Sequence, residues 1–164
     1  MVQSTQLVPG GLVGALSRVA DLDGLTITVG IQGTPATTAS GEATPAELVA
    51  IATANEFGTE RIPPRPFLRT SLKRNRRKWT TGLDKAVSQM AAGDVSAARL
   101  TIRRVGVVMV GDTQATLRSG PWIPNAASTI ARKGSDQPLV DKGQLVQSIR
   151  SQVETPDGRT EVVG

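Results

Sequence analysis

Three prolines within four positions, Pro63, Pro64 and Pro66, divide this chain more sharply than any other feature. Proline fixes φ, carries no N–H, and pushes the residue before it away from the α region. The segment Arg61-Ile62-Pro63-Pro64-Arg65-Pro66 therefore has to be an extended connector, with separate elements on either side. Upstream, Thr44-Pro45-Ala46-Glu47 has the form of a capping box with proline where no N–H is needed. The helix it opens is predicted to run to about Glu56, to bury Leu48, Ile51 and Ala52, and to stop at Gly58. Downstream, Pro66 sits at a first-turn position for a long helix from Phe67 to about Ala92. Its apolar stripe would be Leu68, Leu72, Trp79, Leu83, Val87 and Met90.

Gly93-Asp94 breaks that helix, and a second one reads from Val95 toward Arg118 on Val95, Ala98, Ile102, Val105 and Met109. Gly106 and Gly111 weaken this reading, leaving a strand over 105–110 as the alternative. Near the start, Leu12, Val13, Leu16 and Val19 give a helical pattern over 10–21. Leu25, Ile27, Val29 and Ile31 then alternate strictly, the mark of a half-buried strand. Residues 32–43 read as a loop, and 119–140, with Pro121, Pro124 and Pro138, as a long connection. Both are expected to be flexible in a free subunit and ordered on assembly. Asp141 is the predicted cap of a last helix carrying Leu145 and Ile149, with Gln144 three residues on. Thr155-Pro156-Asp157-Gly158 is a turn before a short strand over 160–163. Together these elements predict one α+β domain over 1–164: a small, mostly antiparallel sheet packed against two long helices, with extended loops.

Composition removes many kinds of chemistry. With no cysteine and no histidine, the 164 residues hold no thiol nucleophile, no imidazole base and no zinc site of the usual ligands. Gly10-Gly11 and Gly30-Ile31-Gln32-Gly33 lack the context of a phosphate loop, and no calcium-loop pattern occurs. Asp21, Asp23, Asp136 and Asp141 are scattered, with nothing to set two of them at a hydrolytic separation. The expectation is a protein that is not an enzyme, with no catalytic residue, cofactor or metal. No apolar run approaches a membrane span, and no signal-peptide pattern opens the chain. Aromatic anchors are few, Phe57, Phe67, Trp79 and Trp122, so the modest core is expected to draw support from neighbouring subunits.

Charge is concentrated. Residues 60–78 carry eight basic side chains against one acid, Glu60, while the rest of the chain carries eleven basic and thirteen acidic groups. This is a near-neutral chain with one basic segment, not a general polyanion binder. On a helix, Lys73, Arg74, Arg77 and Lys78 share one broad face, with Arg69 and Arg76 beside it. Such a face can meet DNA phosphates without reading sequence. It can equally be solvated or meet acidic groups of a partner, the commoner fates of a charge run. Base-reading side chains and an aromatic ladder for single strands are both missing.

Two segments carry a family resemblance. The run from Ala52 through Glu56-Phe57-Gly58-Thr59 and Ile62-Pro63-Pro64-Arg65-Pro66-Phe67-Leu68-Arg69 resembles the "EFGT…IPxRPFLR" signature of phage tail-completion and virion-morphogenesis proteins. These are small neck or tail-end components of lambda-like and Mu-like phages. Lys133 to Ile149, with Pro138-Leu139, Asp141, Gly143, Leu145, Ser148 and Ile149, is similar to the group's later "PL-x-D-T-G-x-L-x-x-S-I" element. Lys142 stands where threonine is usual. The segments occur in the expected order and cover about a fifth of the chain. The resemblance implies a non-enzymatic virion protein in a homo-oligomeric ring, six copies matching tail symmetry. Its implied partners are the head-side connector or adaptor and the tail terminator or tail tube. Loose contact with the genome in the channel is possible, and the host cytoplasm is its place during assembly. The alternatives are a tail terminator proper, or a basic protein lining the DNA channel.

Overall fold

The computed structural model describes Ser17, residues 25–31 and residues 43–163. Apart from Ser17, the predicted helix over 10–21 lies outside the described residues, as does nearly all of the predicted loop over 32–43. The element order is β1 (Thr26–Ile31), α1 (Pro45–Phe57), α2 (Phe67–Ala91), α3 (Val95–Ser119), α4 (Ala127–Lys133), α5 (Gln144–Gln147), β2 (Ile149–Glu154) and β3 (Thr160–Val163). The sheet is antiparallel in the order β1-β2-β3, with Thr26 opposite Glu154 and Ile31 opposite Ile149. The chain leaves β1, makes helices α1 to α5, and returns to pair β2 beside it. A tight turn through Gly158, at φ 77°, closes the β2–β3 hairpin.

The two 25-residue helices pack against one face of this sheet, as α+β architecture predicts. Leu25, Ile27, Val29 and Ile31 all turn inward and run the length of the core. At one end they meet Phe67, Val110, Leu117 and Ile149; in the middle Trp79, Val105 and Met109; at the other end Ala86, Ile102 and Val153. The run 105–110 is helix, not strand. Gly106 does not weaken α3 so much as let it sit close to β2: a Cβ there would lie 2.9 Å from the Ser151 hydroxyl.

The capping box forms as its residues require. Glu47 accepts from the Thr44 N–H at 2.7 Å and the Glu47 N–H donates back to the Thr44 hydroxyl at 3.3 Å. The Thr44 backbone N–H foremost, and the Thr44 hydroxyl donating to the same carboxylate at 2.9 Å, hold the Glu47 carboxyl below its usual pKa. Asp94 caps α3 by accepting from the Ala97 N–H at 3.0 Å.

Four expectations need correction. Ile51 (44%), Leu72 (52%) and Val87 (41%) are exposed, as is Val95, whereas Trp79 and Met90 of α2 and Ala98, Ile102, Val105 and Met109 of α3 are buried as their spacing predicts. In place of Leu72 and Val87, α2 buries Phe67, Ser71 and Ala86, because small Ser71 and Ala86 let α3 approach. Ser71 and Thr113 then share a buried hydroxyl pair at 3.1 Å between the helices. The connection over 119–140 holds a helix, α4, and is tied down at several points. Asp141 is exposed and caps nothing; Gly143, at φ 78°, takes the N-cap position of α5 with no side-chain cap. Finally α5 is a single turn, and Ile149 belongs to β2, where its pairing with Ile31 claims it for the sheet.

Candidate functional site

The connector between α1 and α2 is built around two charged side chains that the protein buries. Glu56, 3% exposed at the end of α1, accepts from the backbone N–H groups of Leu68 (2.9 Å) and Arg69 (3.1 Å). Those N–H groups belong to the first turn of α2, which has no side-chain cap of its own. A carboxylate there satisfies donors that the helix leaves open and faces its positive end. Arg69 folds back to the same residue, its Nε 3.0 Å from Oε1 and a terminal nitrogen 2.7 Å from the Glu56 carbonyl. Its guanidinium also lies 4.9 Å from the centre of the Phe57 ring.

Arg65, 6% exposed, works in the other direction. It donates to the carbonyls of Ile123 (2.9 Å) and Pro124 (3.1 Å), and to the side chains of Asn55 (3.1 Å) and Asn125 (3.3 Å). Burial lowers its pKa from the usual arginine value, yet a guanidinium is basic enough to keep its charge at neutral pH. The planar fork thereby staples α1, the proline connector and the segment after α3 into one unit.

The remaining residues of the first segment shape the bend. Gly58 has φ 79°, and a Cβ there would lie 3.0 Å from Pro64 Cδ and 3.1 Å from the Ile62 carbonyl. The Thr59 hydroxyl accepts from the N–H groups of Arg61 (3.3 Å) and Ile62 (3.0 Å). Pro66 stands at the N-cap of α2, and Phe67 enters the core with no exposed surface.

The second segment meets the first. Leu139, Val140, Leu145 and Ile149 join Ala52, Phe67 and Leu68 in one apolar cluster. Pro138 and Leu139 form the turn that delivers them, with Leu139 at φ 63°. That is an uncommon conformation for a branched aliphatic residue, held here by its packing. Ser148 closes α5 by donating to the Leu145 carbonyl at 2.9 Å. Asp141 takes no part in the cluster.

The basic run of α2 separates into two kinds. Arg69 is engaged by Glu56, and Lys78 by Asp112 on α3 at 2.8 Å. Asp112 also accepts from the Trp79 indole N–H at 2.8 Å, so Lys78 belongs to the contact between helices. Lys73, Arg74, Arg76 and Arg77 are exposed, and none has a side-chain partner among the described residues. Sequence reasoning found the cluster but not this division. Asn55, Asn125, Asp112 and Thr113 also escaped it, because single polar residues on otherwise ordinary elements leave no pattern.

Elsewhere, a cavity of about 650 Å³ opens between the start of α3 and the β2–β3 hairpin. Its lining includes Leu25, Met90, Ile102 and Val153, with Arg99 and Arg103 also on its wall. Arg103 pairs with Glu161 at 2.9 Å. Among the described residues no group of three or more acidic side chains could hold a metal, and no helix is long and apolar enough to cross a membrane. No family model matches the chain, and neither a curated protein nor a solved structure matches it.

Proposed function

We propose that this chain is a structural protein of a tailed-phage virion, a ring component at the neck or tail end that completes the tail and joins it to the head connector. One observation carries the reading. The two segments that resemble the tail-completion family, separated by both long helices, come together in a single cluster around Phe67, Leu139, Leu145 and Ile149. Segments that meet in space form one structural unit, and their polar residues are spent on hydrogen bonds within the chain rather than on a reacting centre. Open apolar side chains such as Phe57, Val107 and Ile123 further support a subunit whose surface is covered by neighbours. In this reading the ring has six copies, matching tail symmetry, and stacks between connector and tail tube.

A second reading, a basic protein in contact with the genome, is favoured by the four cations on α2 that have no side-chain partner among the described residues. Its binding would weaken by orders of magnitude over ordinary salt ranges, which a ring held by apolar faces would not. The position of the chain in an electron-microscopy map of assembled virions tests the main reading. Density for a closed ring at the head–tail junction is the expected result. Absence of the chain from purified virions overturns it.

A further inference from the structure

Outward from the connector, apolar and cationic groups are interleaved rather than kept apart. Phe57 is 66% exposed and Leu72 is 52% exposed. Arg69 lies over the Phe57 ring, and Leu72, Lys73 and Arg76 follow Arg69 at spacings of three, four and seven residues along α2. Those spacings place them along one side of the helix, so the stripe begins at the Phe57 ring. Arg77, four residues beyond Lys73, borders the stripe, and Arg74 lies further round the exposed side.

We propose that this stripe, Phe57, Leu72, Lys73 and Arg76 with Arg77 beside them, is a docking surface for an acidic, amphipathic segment of a partner protein. Charge complementarity sets the acidic requirement, since four cations here have no side-chain partner among the described residues. The apolar groups decide between protein and nucleic acid. Duplex DNA contacted through its backbone offers phosphates and sugars, and such a site gains little from an open phenylalanine and leucine. A protein segment that alternates carboxylates with aliphatic side chains uses both, and aromatic and arginine side chains are the groups that protein interfaces favour. The proposal goes beyond the neck reading by naming the partner's chemistry, and it concerns α2 whatever assembly the chain enters.

Fluorescence anisotropy on the full chain tests it with three labelled probes: a peptide repeating Glu-Glu-Leu-Leu, an oligoglutamate of equal charge, and duplex DNA of equal length. The amphipathic peptide should bind about ten-fold more tightly than the oligoglutamate. Leu72→Ser, with an unchanged melting curve, should remove most of that preference while leaving oligoglutamate binding as it was. Loss of binding in the variant together with a lowered melting temperature is separated from a docking effect by Lys73→Glu with Arg76→Glu, which should abolish binding of both peptides in a folded protein. Equal affinity for the two peptides overturns the proposal, as does no binding of the amphipathic peptide. DNA binding at least as tight as that of the amphipathic peptide, unaffected by Leu72→Ser, overturns it in favour of a nucleic-acid surface. These outcomes are read without virions, so they stand apart from the test of the neck reading.

Discussion

Arg65 and Arg74 lie nine positions apart and share almost nothing in their surroundings. Arg65 is buried, and its guanidinium is spent on Asn55, Ile123, Pro124 and Asn125. Arg74 is exposed on α2, with no side-chain partner among the described residues. The connector around the first arginine and the helical face around the second belong to one basic segment, yet one is an internal fastening and the other an open surface. A count of positive charges therefore overstates what is available to a partner. Of the six cations expected to form that surface, Arg69 and Lys78 are committed within the chain.

This contrast can be broken most directly at Arg65. Arg65→Met should lower the unfolding free energy by about 3 kcal/mol, because buried carbonyls and amides lose a charged donor. Arg65→Lys should recover less than half of that, since one ammonium cannot replace a planar fork. Urea denaturation measures both, and full stability in Arg65→Met would show that the connector is not the fastening described. Gly58→Val comes next, at about 2 kcal/mol, because a β-branched side chain would be forced to positive φ against Pro64. An unchanged melting temperature would mean that the bend relaxes at little cost.

Glu56→Gln should cost about 1.5 kcal/mol, because the charge at the start of α2 is lost and the amide nitrogen that replaces one oxygen cannot accept from the Leu68 or Arg69 N–H. The exposed half of its pair with Arg69 adds little, because solvent screens it. The smallest effect on stability sharpens the other side of the comparison. Reversing Arg74, Arg76 and Arg77 together to Glu should change stability by less than about 0.5 kcal/mol, as surface substitutions do. Under the proposed neck function, the same variant should yield separate heads and tails by electron microscopy. Particles that join normally but eject DNA differently would point to the channel instead.

Much of the architecture could be read from local chemistry. The capping box at Thr44, the proline connector, the break at Gly93-Asp94 and the turn at Gly158 are choices that a few neighbouring residues make for themselves. The alternation from Leu25 to Ile31 likewise announces its strand and the face it buries. Each of these depends on backbone preferences or on a period that is visible in one segment.

What only the tertiary structure decided is which groups are consumed by others far along the chain. Leu72 and Val87 continue a helical stripe but face outward, because α3 approaches along Ser71 and Ala86, whose small side chains carry no strong hydrophobic signal. Asp141 looks like a cap, yet Gly143 and the pairing of Ile149 with Ile31 shorten that helix to one turn. Glu56 and Arg65 sit in a run of polar and proline residues that gives no sign of burial. They are buried because the start of α2 needs a carboxylate and the segment after α3 needs a donor, and both needs arise only once distant elements have packed together.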